Sequence, residues 1–198
     1  MPATPAWPPK SAPRLFIPQR LSLGMAHRVD GNAAHYLAQV MRVQPGDAVI
    51  LCDDQTGEWA ARVVATSKSA VDLNVAAQLR GREDAPDFWL CFAPVKKPHF
   101  DLILEKATEL GVARIIPVLT RRCVVDKVNE DRARTILTEA AEQCARTALP
   151  QLAPLTPLAA LLREWPAGRT LFFADEQGGD GALAAFHHGG ASAGLLVG

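Results

Sequence analysis

Three groups of residues have the types and spacing for chemistry. Glu142, Gln143 and Arg146 form a polar group in the Ala-rich run Glu139-Ala-Ala-Glu-Gln-Cys-Ala-Arg146, whose carboxylate has the chemistry of a general base. Glu142 and Arg146 also have the four-residue spacing of an ordinary helix-surface ion pair, worth roughly a few tenths of a kcal/mol. Lys96 with Lys97, and Arg121 with Arg122, are basic pairs placed where two apolar runs end. At adjacent strand ends they would form a phosphate-binding rim, and otherwise they are two solvated loops. Asp175-Glu176-Gln-Gly-Gly179 follows a third apolar run. Its glycines permit a ligand to approach closely, and the same residues read equally as a flexible turn before a short helix. They lack the spacing of a dinucleotide or phosphate-loop fingerprint.

The elements that must carry these groups come in two rhythms. Residues 14–80 alternate short strands and turns, at 15–17, 48–52, 59–65 and 71–76, which predicts a small β-barrel. One helix is expected within it over 32–43, with Asn32 as N-cap and Ala33, Leu37, Val40 and Met41 on its apolar face. His35 and Arg42, seven residues apart, would then share a face. Residues 80–86 are charged and carry Gly and Pro, which marks a boundary.

From 87 to 198 strand and helix alternate: strands at 88–95, 113–119 and 170–174, helices at 98–110 and 130–148. That alternation predicts a parallel sheet covered on both faces. In the first helix Phe100, Ile103, Leu104, Ala107 and Leu110 recur at helical spacing, and Gly111 stands where a residue of positive φ would end it. Gly194-Leu-Leu-Val-Gly198 reads as a buried parallel strand and the start of a turn, so a ligand-facing loop is expected beyond it.

Composition sets limits. The 198 residues are 48% apolar and carry zero formal net charge, so the chain has a real core and no global field to draw in a polyanion. Cys52, Cys91, Cys123 and Cys144 form no Cys-x-x-Cys pair. Neither a zinc ribbon nor a redox motif is readable, and reduced thiols in a cytoplasmic protein are expected, each a small buried hydrophobe. Residues 1–13 hold five prolines and no signal-like apolar run, and are expected to be a disordered tail. No segment approaches the ~20 apolar residues of a membrane span.

The ordered motifs Arg14-Leu-Phe, His35-Tyr-Leu-Ala-Gln-Val-Met-Arg42, Pro45-Gly-Asp47 and Lys106-Ala-Thr-Glu-Leu-Gly-Val112 lie along this chain. Ile116-Pro, Thr120-Arg-Arg-Cys123 and Glu139-Ala-Ala-Glu-Gln-Cys-Ala-Arg146 continue them. Their order and spacing resemble the RsmE-type uridine-N3 methyltransferases of 16S ribosomal RNA, in the knotted SPOUT superfamily. The resemblance implies a PUA-like RNA-binding barrel followed by a SPOUT methyltransferase domain and a homodimer formed through that domain. It implies S-adenosylmethionine as cofactor, no metal, and 16S rRNA of the small subunit as partner.

On this resemblance, Arg14, His35, Arg42, Lys96, Lys97, Arg121, Arg122, Gln143 and Arg146 are expected to meet RNA, and Glu142 is the candidate base for the uracil N3 proton. Asp175, Glu176, Leu196, Val197 and Gly198 are expected at the cofactor. The family has a Gly-Pro-Glu-Gly-Gly loop after the strand that here ends at Val197, followed by a Leu/Arg-rich segment. Only Gly198 of these is present, so a C-terminally incomplete domain is expected, one that cannot hold the cofactor normally in these 198 residues although the intact gene product could. A noncatalytic RNA-binding or ribosome-assembly protein on the same fold is the alternative.

Zero net charge predicts that recognition relies on a shaped RNA or particle surface more than on bulk electrostatics. Short naked oligonucleotides are therefore expected to be poor methyl acceptors beside small ribosomal subunits. Efficient labelling of a short free RNA would contradict this.

Overall fold

The computed structural model describes residues 7–198 and divides into two units. The first runs up to Glu83 and includes Ala145–Ala148; the second comprises Asp84–Cys144 and Leu149–Gly198.

In the first unit, β1 (Arg14–Phe16), β2 (Ala26–Asp30), β3 (Ala48–Asp53), β4 (Gly57–Thr66) and β5 (Ala70–Arg80) pair in the order β1-β3-β4-β5-β2. Leu15 from one edge strand and Val29 from the other reach the same core as Leu51, Trp59, Val63 and Leu73, so the sheet curls around a single interior. Register shifts between β4 and β5, as at Val63/Ala65, help it bend. Strand β2 went unread because Val29 is its one buried side chain.

A buried carboxylate closes the β3–β4 hairpin. Asp53 is 1% exposed and accepts hydrogen bonds from the Leu21 N–H at 2.6 Å, the Gln55 N–H at 2.7 Å, the Thr56 hydroxyl at 2.5 Å and the Thr56 N–H. Thr56 Oγ1 in turn accepts from Trp59 Nε1 at 2.9 Å. Burial alone would raise the Asp53 pKa, but the bonds from Thr56, Leu21 and Gln55 outweigh it and hold the carboxyl below its ordinary range. Gly57 follows with φ +98°, and a Cβ there would collide with the backbone of Gly81 and Arg82, so glycine alone fits.

Two expectations for this unit are corrected. Residues 7–13 are held against the sheet: Arg62 lies 4.6 Å over the Trp7 ring, and the buried Pro13 accepts from the Ile50 N–H at 2.8 Å. The remainder of the expected tail, 1–6, lies outside the described residues. The helix over 32–43 is a short α1 (Gly31–His35) continued by a π-helical turn, Tyr36–Val40. Position Asp30, not Asn32, is its N-cap, with no side-chain capping bond. The Met41 N–H bonds the Tyr36 carbonyl five residues back, and this wider winding shifts the phase of the side chains. Ala34 and Leu37 are buried, whereas Val40 is 62% exposed and Met41 38%.

The second unit holds a parallel sheet in the order β10-β11-β6-β7-β8. Its strands are β6 (Phe88–Phe92), β7 (Arg114–Leu119), β8 (Gln151–Leu152), β10 (Thr170–Phe173) and β11 (Ala193–Val197), and a short β9 (Thr156–Pro157) also pairs with β7. Helices α2 (Lys97–Glu109), α3 (Glu130–Cys144), α4 (Leu158–Arg163) and α5 (Ala182–His187) complete it. Strand alternation divides the interior. Cys91, Ile116, Val118 and Leu196 pack on one face with Leu161 of α4, while Phe92 and Ile115 pack on the other with Leu104, Ala107, Ala133 and Leu137 of α2 and α3. Both faces are covered, as the strand–helix alternation predicts.

Helix α2 ends as its sequence predicts. Gly111 has φ +82°, the Gly111 N–H bonds the Thr108 carbonyl, and the Val112 N–H bonds the Ala107 carbonyl, each at 3.0 Å, the paired bonds of a Schellman cap. Helix α3 is shorter than expected. It stops at Cys144 because Ala145 takes φ +60° and turns the chain away.

Replacing Asp53 by Ala strands three backbone N–H groups and a hydroxyl, and a loss of about 3 kcal/mol in urea unfolding is expected. Because the folded-state pKa is depressed, the stabilisation is present above the ordinary value of 3.8 and is lost as pH falls through the lower folded value. Asp53→Ala is therefore expected to flatten the acid limb of the stability curve.

Candidate functional site

The parallel strands all deliver their carboxyl ends to one edge of the second unit, and the loops there carry most of the residues singled out from the sequence. Beyond β10 and β11 lies a cleft of ≈ 1010 Å³. Asp175, Glu176, Val197 and Gly198 line it together with Arg122, which arrives from the end of β7. The Asp175 carboxylate accepts from the Gln177 N–H at 2.9 Å, an Asx turn that shapes the loop leading to Gly178 and Gly179. Phe172 and Leu195 supply apolar wall. Leu196 differs from its neighbours: its side chain is 5% exposed in the core with Cys91 and Ile116, and its carbonyl lies at this edge, accepting from the Ala174 N–H at 2.9 Å. Period-two alternation sends Leu195 and Val197 to the cleft and Leu196 away from it.

The two basic pairs stand at the same edge. Lys96 precedes the first residue of α2 and Lys97 opens that helix, while Arg121 and Arg122 follow β7, the strand paired with β6. All four are exposed. Cys123 ties the two exits together, its thiol lying 3.4 Å from the Pro94 carbonyl and 3.0 Å from the Val125 carbonyl.

The remaining candidates are dispersed. Glu142 and Gln143 lie near the end of α3; Gln143 borders a hollow with Asp101, Glu105 and Glu139, and Glu142 is outside the set of side chains lining the cleft. Arg146 is not on the helix. It falls in the first unit with its Nε 3.3 Å from Glu83, where the same carboxylate accepts from the Thr147 and Ala148 N–H groups at 2.8 and 3.2 Å. Thr147 is fully buried, and its hydroxyl accepts from the Glu83 N–H at 2.8 Å.

Arg14 is also turned inward. Its guanidinium bonds Glu58 Oε1 at 3.1 Å and Cys52 Sγ at 3.3 Å. Burial disfavours a charge on Glu58, but the Arg14 and Arg80 guanidinium groups outweigh burial and lower its pKa; burial pushes the Cys52 thiol up to about 11. His35 and Arg42 remain exposed, the latter with φ +54° just past the π-helical turn, so they do not share a regular helix face.

Sequence reasoning missed the support at the opposite edge of the sheet. Arg169, at the head of β10, holds both oxygens of Asp87 at 2.7 and 2.6 Å, and donates to the Asp87 and Ala193 carbonyls at 3.0 and 3.1 Å. Its guanidinium lies 3.9 Å from the centroid of Trp89, and that of Arg114 lies 4.6 Å from it. Neither Nε has a hydrogen-bond partner among the described residues; each guanidinium instead meets the indole face. Bonds from Arg169 and then Ser192 hold the Asp87 carboxyl below its ordinary range. Gly194 leaves room for Trp165, whose ring a Cβ would crowd. The Trp-Pro-Ala-Gly-Arg run ahead of β10 was a readable but ambiguous signal.

Among the described residues no cluster of His, Cys, Asp or Glu could hold a metal ion, and no helix is long and apolar enough to cross a membrane.

Residues 83–198 match the family model of the RNA methyltransferase domain, and residues 29–76 that of the RNA methyltransferase PUA domain. The chain is 29% identical over 137 residues to "Ribosomal RNA small subunit methyltransferase E" of Rickettsia conorii, covering 69% of this chain and 54% of the relative. It is 34% identical over 125 residues to the protein of the same name from Synechocystis, covering 62% and 41%. It thus spans about half the length of the curated relatives it matches. Among solved structures, ribosomal RNA small subunit methyltransferase E from Neisseria gonorrhoeae, bound to S-adenosyl methionine, superposes with TM-score 0.83 at 24% identity, over 94% of this chain and 79% of that one.

Because Arg169 joins the heads of β6, β10 and β11, Arg169→Ala is expected to lower stability by about 2 kcal/mol and to speed amide exchange in β10 and β11 before β3 and β4. Asp87 has a depressed pKa, so its contribution holds above the ordinary value of 3.8 and fades as pH falls through the lower folded value. The gap between wild type and variant is expected to narrow over that acid range; a constant gap would assign the effect to packing on Trp89.

Proposed function

The chain belongs to the RNA methyltransferase family, and we propose that it methylates N3 of a uridine in 16S rRNA of the small ribosomal subunit, with S-adenosylmethionine as methyl donor. The observation that carries this reading is the cleft beyond β10 and β11, because its chemistry suits that donor. Carboxylates at Asp175 and Glu176 suit ribose hydroxyls and a cationic sulfonium, Phe172, Leu195 and Val197 suit an adenine ring, and Gly178, Gly179 and Gly198 let a ligand approach the backbone. The relatives' shared name supports rRNA of the small subunit as substrate.

When bound, the donor supplies a methyl group already activated on sulfonium, so the protein needs no nucleophile of its own. What remains for this chain is alignment and one proton. Lys96, Lys97, Arg121 and Arg122 hold the RNA backbone at the edge where the cleft opens. In the PUA-like unit His35 and Arg42 offer exposed contacts, whereas Arg14 and Arg146, engaged by Glu58 and Glu83, contribute less; Gln143 adds a polar contact on α3. Glu142 is the carboxylate proposed to take the N3 proton. The protein acts in the cytoplasm as a homodimer formed through the second unit.

The test is transfer of labelled methyl from S-adenosylmethionine to small subunits lacking the modification, with the nucleoside identified by mass spectrometry. Recovery of 3-methyluridine is expected; subunit binding without incorporation would favour a noncatalytic RNA-binding protein. Asp175→Ala with Glu176→Ala is expected to weaken donor binding about tenfold or more. Glu142→Gln is expected to lower kcat by roughly 10²–10⁴ with donor affinity unchanged if Glu142 is the base; an unchanged kcat removes it from that role.

A further inference from the structure

A second concavity in the second unit has no part in the donor site. It measures ≈ 400 Å³ and lies between the first turns of α2 and α3 and the segment that precedes α3, within the range of roughly 300–1,000 Å³ at which proteins enclose small ligands. Its lining is of two kinds. Val95, Val125, Val128 and Ala133 give apolar walls, with Phe100 among them, and Lys97, Lys127 and Arg132 bring three cations to the same hollow. Phe92 backs the Phe100 ring at a centroid distance of 5.5 Å, so one face of Phe100 is supported from the core.

The charge in the hollow is only partly balanced. Asp101 is the one carboxylate of the lining, and it is bound to Arg132 at 2.6 Å. Asn129 caps α3, accepting from the Arg132 N–H at 3.0 Å, and Lys97 opens α2. Two long helices therefore turn their amino ends, with their partial positive charge, toward this space. An apolar hollow with an aromatic wall and a cationic rim is complementary to a flat base carrying a phosphate.

We propose that this hollow is a nucleotide subsite that holds one residue of the RNA strand, its phosphate on Lys97, Lys127 and Arg132 and its base against Phe100. The assignment rests on the reading of the chain as an RNA methyltransferase. It adds a specific contact beyond the exposed rim: Lys97 belongs to both, so the strand would pass from the rim into the hollow.

The experiment is a titration of the full chain, with methyl groups observed by NMR, using uridine 5′-monophosphate, uridine and inorganic phosphate as separate probes. Saturable shifts at Val125, Val128 and Ala133 with uridine 5′-monophosphate are expected, together with at least a tenfold weaker response to each fragment. Lys127→Glu, an exposed position, is expected to abolish the response, and Phe100→Leu to weaken it severalfold. No shift at these methyls, an equal response to phosphate alone, or an unchanged response in Lys127→Glu would overturn the subsite. Donor binding to the same samples separates the two readings. S-adenosylmethionine shifts at Leu195 and Val197 without a nucleotide response at Val125 would sink the subsite and leave the methyltransferase reading standing, whereas the reverse pattern would sink the donor site instead.

Discussion

One guanidinium ties together the heads of the three strands that build the cleft. Arg169 reaches from the head of β10 to the carboxylate and carbonyl of Asp87, just before β6, and to the carbonyl of Ala193 at the start of β11. There β11 sits between two earlier strands, laddered to β10 on one side and β6 on the other. A partly buried cation of this kind is tolerable only with full compensation. Here two carboxylate oxygens and two carbonyls satisfy the two terminal nitrogens while the guanidinium, its Nε without a hydrogen-bond partner among the described residues, lies on the face of Trp89. Trp165 covers the site by bonding the Arg169 carbonyl at 2.9 Å and packing edge-on against Trp89. Gly194 is part of the same arrangement, since a side chain there would displace Trp165.

The two ends of the sheet have different jobs. At the amino ends, Asp87 and Arg169 consume each other's charge and Arg114 lies over the Trp89 ring. At the carboxyl ends it is left exposed on Lys96, Lys97, Arg121 and Arg122. A molecule of zero net charge can in this way present a local positive field without the self-repulsion of a uniformly basic chain. The first unit follows a similar rule, with Arg14 and Arg80 committed to Glu58 while His35 and Arg42 stay in solvent.

Much of this was legible in the residues. The strand–helix alternation after residue 87 yielded the parallel sheet, and Gly111 marked the end of α2 because positive φ is a local demand that local sequence expresses. The errors have physical causes. A π-helical turn is invisible to a 3.6-residue period, so Val40 and Met41 were placed inward when they face out. The turn at Ala145 carries no Gly or Pro, so α3 was drawn too long and Arg146 was grouped with Glu142. The expectation for Leu196 follows the resemblance and carries no side-chain direction, which the strand's alternation sets toward the core. For Arg169 the Trp-Pro-Ala-Gly-Arg run leaves the supporting role ambiguous, because its partners, Asp87 and Ala193, lie 82 and 24 residues away in sequence.

The detour of Ala145–Ala148 into the first unit has a consequence for how this molecule can be taken apart. The chain passes from one unit to the other between Glu83 and Asp84, returns after Cys144, and leaves again before Leu149. A cut at residue 83 therefore removes a piece of the first unit along with the second. The excised fragment would keep the Glu83 carboxylate but lose the backbone amides of Thr147 and Ala148 that solvate it. The two halves are modules in architecture without being modules in the gene, and a domain swap that respects only the linear boundary would carry an unfilled socket with it.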